Sequence, residues 1–234
     1  MRFLVEPSPA GGWLVKLAGH DAPVSRHDNE EEARGRAEAY RRGASAEGER
    51  VMLRDGSVVL IRPIAPEDKP LFVAGWEHFG EASRLRRFMG VKQHLTLENL
   101  AFFTDIDQTD HAALVGIDPD TGDGLGVARC IRDPAHPDTA EAAVSVIDSW
   151  QGRGLGRALL ERLTDRACQN GIKRFTAELR ADNRAMLRLF EHLGRTDVRR
   201  DAGDLELDVD LRTDAPEELA SVLRGAAAGD VAPR

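Results

Sequence analysis

Residues 150–163 read WQGRGLGRALLERL, with Gly152, Gly154 and Gly156 at every second position and Arg153 and Arg157 threaded between and after them. Leu155, Ala158, Leu159, Leu163 and Ala167 then fall at helical spacing, so a helix starts within or just after the glycines. The free amides of its first turn point back into the loop, and together with the helix dipole they favour an anion there. Glycines lack a Cβ and let a ligand lie against the backbone. Gln151, Gly152, Arg153, Gly154, Leu155, Gly156 and Arg157 therefore form a candidate phosphate cradle. Alternate glycines also suit a tight strand-to-helix turn, and the residues alone leave that reading open.

The same glycine spacing recurs in GDGLG, 122–126, as an internal control. There the flanks are Asp118, Asp120 and Asp123 and a strand follows, so a hairpin turn is expected. Those acids miss the ligand register of a calcium loop, and no bidentate glutamate follows. Nor is the 150–163 stretch a P-loop, since Gly156 is followed by RAL and not by Lys and Ser or Thr. A dinucleotide site would place its glycines after the first strand, with an acid on the next.

Outward from the cradle, the strand AEAAVSVI precedes it, and HAALVGI and LGVARCI, joined by DPDTGDG, come before that. SVVLIRPI reads as a strand, and EDKPLFVAGWEHFG and TLENLAFFTDI as helices. Beyond the cradle helix follow the strand KRFTAEL, the helix NRAMLRLFEHLG and the alternating strand LELDVDL. Strands first, then helices alternating with strands, imply an α/β fold with a mixed sheet. The first 50 residues read as a small unit of their own: a hairpin from RFLVEP and GWLVKLAG, a helix capped at Asp28 or Asn29 and ended by Gly43, then the linker GASAEGE. Residues 51–212 form the main domain, and 213–234 offer little to bury and read as a mobile tail.

The formal charge of −8 argues against a surface built to neutralise nucleic-acid phosphate and suits a basic or amine-bearing partner. No apolar run reaches the roughly 20 residues of a membrane span, and the start lacks a basic region followed by a long apolar one, so the cytoplasm is expected. Cys130 and Cys168 stand alone and read as core residues. The seven histidines show no metal-ligand spacing, so no metal is expected; His111 falls at a strand start. The basic run SRLRRF, with Arg84 to Arg87 at its centre, has no assigned role.

QGRGLGRALL resembles the Q/R-x-x-G-x-G/A signature of the GNAT superfamily of N-acetyltransferases. LRDGSVVLIRPIAPED, SRLRRF, FTDIDQTDHAALVGI, GVARCIRDP, AEAAVSVIDSWQGRGLG and RADNRAMLRLFEHLG extend the resemblance, over about 51–212, to the bacterial protein lysine acetyltransferase branch. The first 50 residues resemble a small bacterial ββα domain of unknown function. The resemblance implies a GNAT fold with a mixed, mostly antiparallel sheet flanked by helices. It further implies acetyl-coenzyme A as co-substrate, its pyrophosphate on the cradle, its pantetheine arm on the backbone at Val146 and Ile147, and Asn183 near its sulfur.

Amine attack on a thioester sets the chemical demand. A lysine is neutral about four times in ten thousand at pH 7, a cost of roughly 4.6 kcal/mol, so some group must take its proton. Period two puts Glu141, Ala143 and Ser145 on one strand face and Ala142, Val144 and Val146 on the other. By position alone Glu141 could be a solvated strand residue; the resemblance makes it the general base. Asn183, opening the next helix, also suits an ordinary cap. Two places depart from the family pattern: Phe190 stands where many members carry a tyrosine that protonates the leaving thiolate, and Arg195 where an aromatic is usual. The expected activity is acetyl transfer to a protein lysine, with a small amine as the alternative acceptor and a non-catalytic acyl-coenzyme A sensor as the alternative function.

Overall fold

The computed structural model describes residues 1–43, 47–78, 95–201 and 203–211. The basic run 83–88 and the expected tail 213–234 lie outside them.

The first 27 positions build three short antiparallel strands, β1 (Phe3–Pro7), β2 (Trp13–Leu17) and β3 (Pro23–His27), in the order β1-β2-β3. The sequence suggested only the β1–β2 hairpin. In β3, PVSRH, only Val24 is buried, too little alternation to read as a strand. Helix α1 (Glu30–Arg42) follows, its first turn capped by Asn29, whose side-chain oxygen accepts from the Glu32 amide at 2.9 Å. Gly43, at φ 71°, ends it. Ala33, Ala37 and Tyr40 line its buried face.

The main sheet has eight strands. These are β4 (Glu49–Met52), β5 (Val58–Pro63), β6 (His111–Ile117), β7 (Gly124–Arg132), β8 (Thr139–Val146), β9 (Arg174–Arg180), β10 (Gly194–Asp201) and β11 (Asp204–Leu211), in the order β10-β11-β9-β8-β7-β6-β5-β4. Every neighbouring pair is antiparallel except β8–β9. Since β4 begins at Glu49, the sheet reaches across the boundary expected after residue 50, and Glu49 belongs to it and not to a linker.

Helices α2 (Lys69–Glu77) and α3 (Leu97–Thr104) lie on one face of this sheet, and α4 (Leu155–Gln169) on the other, before α5 (Arg184–Glu191). The α4 side carries the largest core. Leu155, Leu159, Leu160 and Leu163 pack there against Ala128, Ala142, Val144, Phe175 and Leu207. On the opposite face Ala113, Val115 and Ile117 meet Leu71 and Phe72 of α2. A third cluster joins Val15, Val24, Ala37 and Tyr40 to Val73 and Trp76 of α2 and Leu100 of α3. The N-terminal sheet thus closes its core on helices of the main domain.

Candidate functional site

Strands β8 and β9 pair only over Thr139–Glu141 with 174–176. β8 continues against β7 as far as Val146, so beyond Glu141 one edge of β8 is released and a cleft opens. The Ile147 amide donates to the Leu125 carbonyl at 3.0 Å, which fixes the alternation of the ladder. Residues 147, 145 and 143 turn their backbone groups toward β7. Ala142, Val144 and Val146 turn theirs toward the gap. The release of β8 from β9 thus begins at Ala142, four residues before Val146, where the splay was expected together with Ile147.

The cleft measures about 850 Å³ and runs from Glu141 to the start of α4. Glu141 is exposed, with Ala143 and Ser145 half-buried on its face, while Ala142 and Val144 are buried against α4. At the other end the chain makes a short turn over Asp148–Trp150 and passes through Gly152 at φ 78° and Gly154 at φ 101°. Both dihedrals are left-handed, where a residue bearing a Cβ is strained. Gly154 is the N-cap of α4, so the first-turn amides of that helix face the loop.

Among the sequence-expected residues, Glu141, Val146, Gln151, Gly152, Gly154, Gly156, Arg157 and Asn183 all line this cleft. Gln151 also braces it, its side-chain amide donating to the Val146 carbonyl at 3.1 Å and to Asp148 at 3.0 Å. Leu155 is buried and can offer only its backbone. Arg153 is turned aside. Its guanidinium lies 4.7 Å from the Trp150 ring centroid and 3.5 Å from Asp55, so it secures the loop. Ile147 has its amide engaged by Leu125 and its side chain buried, and it is not among the residues that line the cleft. Asn183 caps α5, accepting from the Met186 amide at 3.3 Å, while remaining at the cleft wall. Phe190 is fully buried yet forms part of the cleft lining, and the tyrosine it replaces has no substitute there, since Tyr40 lies in α1.

Sequence reasoning missed a set of arginines. Arg54, Arg180, Arg184 and Arg188 line the cleft with Arg157, against the carboxylates of Glu141, Glu178 and Asp182. This is a basic cavity in an acidic chain. Arg54 arrives from the β4–β5 turn, about a hundred residues upstream; its amide donates to the Arg153 carbonyl at 3.3 Å, and its Cγ lies 3.4 Å from where a Cβ on Gly154 would stand. Next to it, hydrogen bonds from the Ser57 hydroxyl and amide hold the Asp55 carboxyl below its ordinary range.

A second, smaller cavity of about 70 Å³ lies on the other face of β7 and β8, under α2 and α3. Ser145 lines both cavities. At its wall Arg129 donates to His111 Nε2 at 2.9 Å and lies over the Phe103 ring at 4.7 Å. Burial, then the Arg129 charge, lowers the His111 pKa to about 4 and keeps the imidazole neutral. Burial pushes the Cys130 thiol up to about 11, as befits a core residue. Among the described residues no group of His, Cys, Asp and Glu could hold a metal, and no helix is long and apolar enough to cross a membrane.

The model of the acetyltransferase (GNAT) family matches residues 79–194. An acetyltransferase of Pseudomonas aeruginosa is 32% identical over 147 residues, which cover 61% of this chain and 77% of that protein. The chain belongs to the GNAT acetyltransferase family. Acetyltransferase Pat of Mycolicibacterium smegmatis is 32% identical over 161 residues, 69% of this chain and 48% of Pat, so the chain spans about half the length of that relative. Among solved structures, the GNAT domain of S. lividans PAT superposes with a TM-score of 0.65 at 31% identity, covering 70% of this chain and 97% of that domain. Family membership agrees with the parallel β8–β9 pair that parts beside a glycine loop.

Proposed function

We propose that this chain transfers the acetyl group of acetyl-coenzyme A to an amine in the cytoplasm, and that the favoured acceptor is a protein lysine. The observation that carries the reading is the parting of β8 from β9 at Glu141, with a helix N-terminus and arginines at the far end of the same cleft. The pyrophosphate binds the amides of Gly152 to Gly156, and the pantetheine arm runs along the released edge of β8. There the Val146 N–H is turned toward the gap and donates to the arm or to the thioester carbonyl. A donor aimed at the developing oxyanion is worth roughly 3 kcal/mol.

Glu141 takes the proton of the acceptor ammonium, directly or through a water. The freed nitrogen attacks the carbonyl carbon, the C–N bond forms, the nitrogen gives up its second proton to solvent, the C–S bond breaks, and coenzyme A leaves as thiolate. With Phe190 in place of a tyrosine, solvent protonates that thiolate, whose pKa near about 8.5 makes it a tolerable leaving group unaided. A protein acceptor is supported by the resemblance to bacterial protein lysine acetyltransferases over 51–212 and by the exposure of Glu141, which a lysine on a large surface can reach.

Incubation with acetyl-coenzyme A, a proteome extract and a panel of small amines, read by mass spectrometry, tests the reading. Nε-acetyl-lysine on a discrete set of proteins is the expected product. Acetylation of small amines alone would replace the acceptor, and coenzyme binding without any turnover would make the chain a sensor.

A further inference from the structure

We infer that the smaller cavity is an acyl-chain pocket, so that the chain transfers short straight-chain acyl groups longer than acetyl; this rests on the coenzyme reading of the larger cleft. Its walls are Leu71, Phe72 and Trp76 of α2, Phe103 of α3, and Val127 and Ile147 from the β7 and β8 side. A lysine ammonium would meet no carboxylate among the residues that line it. An alkyl chain meets what it prefers.

The cavity also borders the chemistry, with Ser145 as the shared wall. Ser145 lines both it and the coenzyme cleft, and Val146, whose amide faces the thioester in the proposed mechanism, is the next residue. An acyl group whose carbonyl lies at that amide has its tail directed across the strand toward Ser145. Gly124 keeps the floor clear, since a Cβ there would stand 3.4 Å from the Leu71 Cβ. Arg129 forms part of the wall with its guanidinium engaged by His111 and by the Phe103 carbonyl at 3.4 Å, so the pocket is read for a neutral tail and not for a terminal carboxylate.

Size sets the chain length. At roughly 10–15 Å³ for each water-sized group, a cavity of about 70 Å³ holds on the order of five. That corresponds to a tail reaching butyryl to hexanoyl. The reaction is balanced as for acetyl: the amine nitrogen bonds to the acyl carbon, the C–S bond breaks, the ammonium proton leaves to the base and the second proton to solvent, and free coenzyme A is the second product.

Calorimetric titration of the full chain with coenzyme A and with its acetyl, butyryl, hexanoyl, decanoyl and succinyl thioesters requires no knowledge of the acceptor. Each buried methylene should tighten binding about fourfold, so butyryl-coenzyme A, with two more, should bind roughly fifteenfold tighter than acetyl-coenzyme A, and decanoyl-coenzyme A should lose that gain. Val127→Phe, which fills the cavity from the sheet, should abolish the preference, and Leu71→Phe, which fills it from α2, gives the same test should the first variant fail to fold. Equal or weaker binding of butyryl-coenzyme A, with acetyl-coenzyme A still binding, overturns the pocket and leaves the coenzyme cleft standing. Tightest binding of the succinyl thioester overturns the neutral tail. Absence of binding by coenzyme A and all its thioesters overturns the cleft reading itself, and the pocket with it.

Discussion

Glu141 stands at the vertex where β8 and β9 part, the last β8 residue paired with β9 and an exposed one. In the proposed reaction a base in that position meets an acceptor at the mouth of the cleft while the coenzyme lies along residues 142–146. Glu141→Gln keeps the shape and removes the basic oxygen, so turnover should fall roughly 10²- to 10⁴-fold with little change in coenzyme affinity. The variant should recover rate only as the amine itself becomes neutral, near about pH 10, a profile read from initial rates with a confirmed acceptor. Full activity of the variant across that range would assign deprotonation to solvent or to another group. Gly154 carries a different burden. From sequence, Gly154→Val should block the pyrophosphate and leave the unliganded fold largely intact. At φ 101° the substitution also strains the N-cap of α4, by about 1–2 kcal/mol for a left-handed residue. Thermal denaturation should therefore show a lowered melting temperature without ligand as well as loss of the rise that coenzyme A gives the parent. That rise corresponds to about 2.7 kcal/mol at a hundredfold excess over Kd.

At the scale of elements, contiguous patterns were legible and long-range ones were not. β11 alternates strictly, with Leu205, Leu207, Val209 and Leu211 buried, and it reads as a strand at sight. Its edge neighbour β10, GRTDVRRD, has one apolar side chain, Val198, and that is exposed, so its strand character comes wholly from pairing with β11. The other edge, β4, is half apolar but has no buried residue, and β3 holds a single one. The glycine cradle was readable because its parts are adjacent in the chain. Arg54 was not, because the sheet brings it to the cradle from the β4–β5 turn. There the turn clasps the glycine loop twice, through the Arg54 amide on the Arg153 carbonyl and through Asp55 beside Arg153. With its side chain over Gly154, Arg54 is placed to meet a coenzyme phosphate. Arg54→Ala should weaken coenzyme A binding about tenfold and flatten its dependence on salt, measured as Kd at low and high ionic strength. An unchanged affinity would confine Arg54 to bracing the loop.

Across the whole molecule, the N-terminal sheet and α1 share a core with the main domain through α2 and α3. Val73, Trp76 and Leu100 are buried in that shared cluster, and Arg36 of α1 reaches Glu67 at 3.4 Å. α2 therefore has two occupied faces, one under the N-terminal sheet and one, with Leu71 and Phe72, over the smaller cavity; Trp76 serves both. Every residue lining the coenzyme cleft lies at or after Arg54. Removal of residues 1–47 should thus separate two properties. Coenzyme affinity should stay within about threefold of the parent. Stability should fall, since Val73, Trp76 and Leu100 each lose part of the roughly 1.5–3 kcal/mol that burial of a large apolar side chain supplies. With α2 unsupported, the KM for the acceptor should rise more than kcat changes. Circular dichroism and calorimetry on the shortened chain, with kinetics on a confirmed acceptor, distinguish these effects. A shortened chain that stays folded yet no longer binds coenzyme A would make the N-terminal unit part of the site, and would turn the reading toward a sensor in which that unit reports occupancy of the cleft.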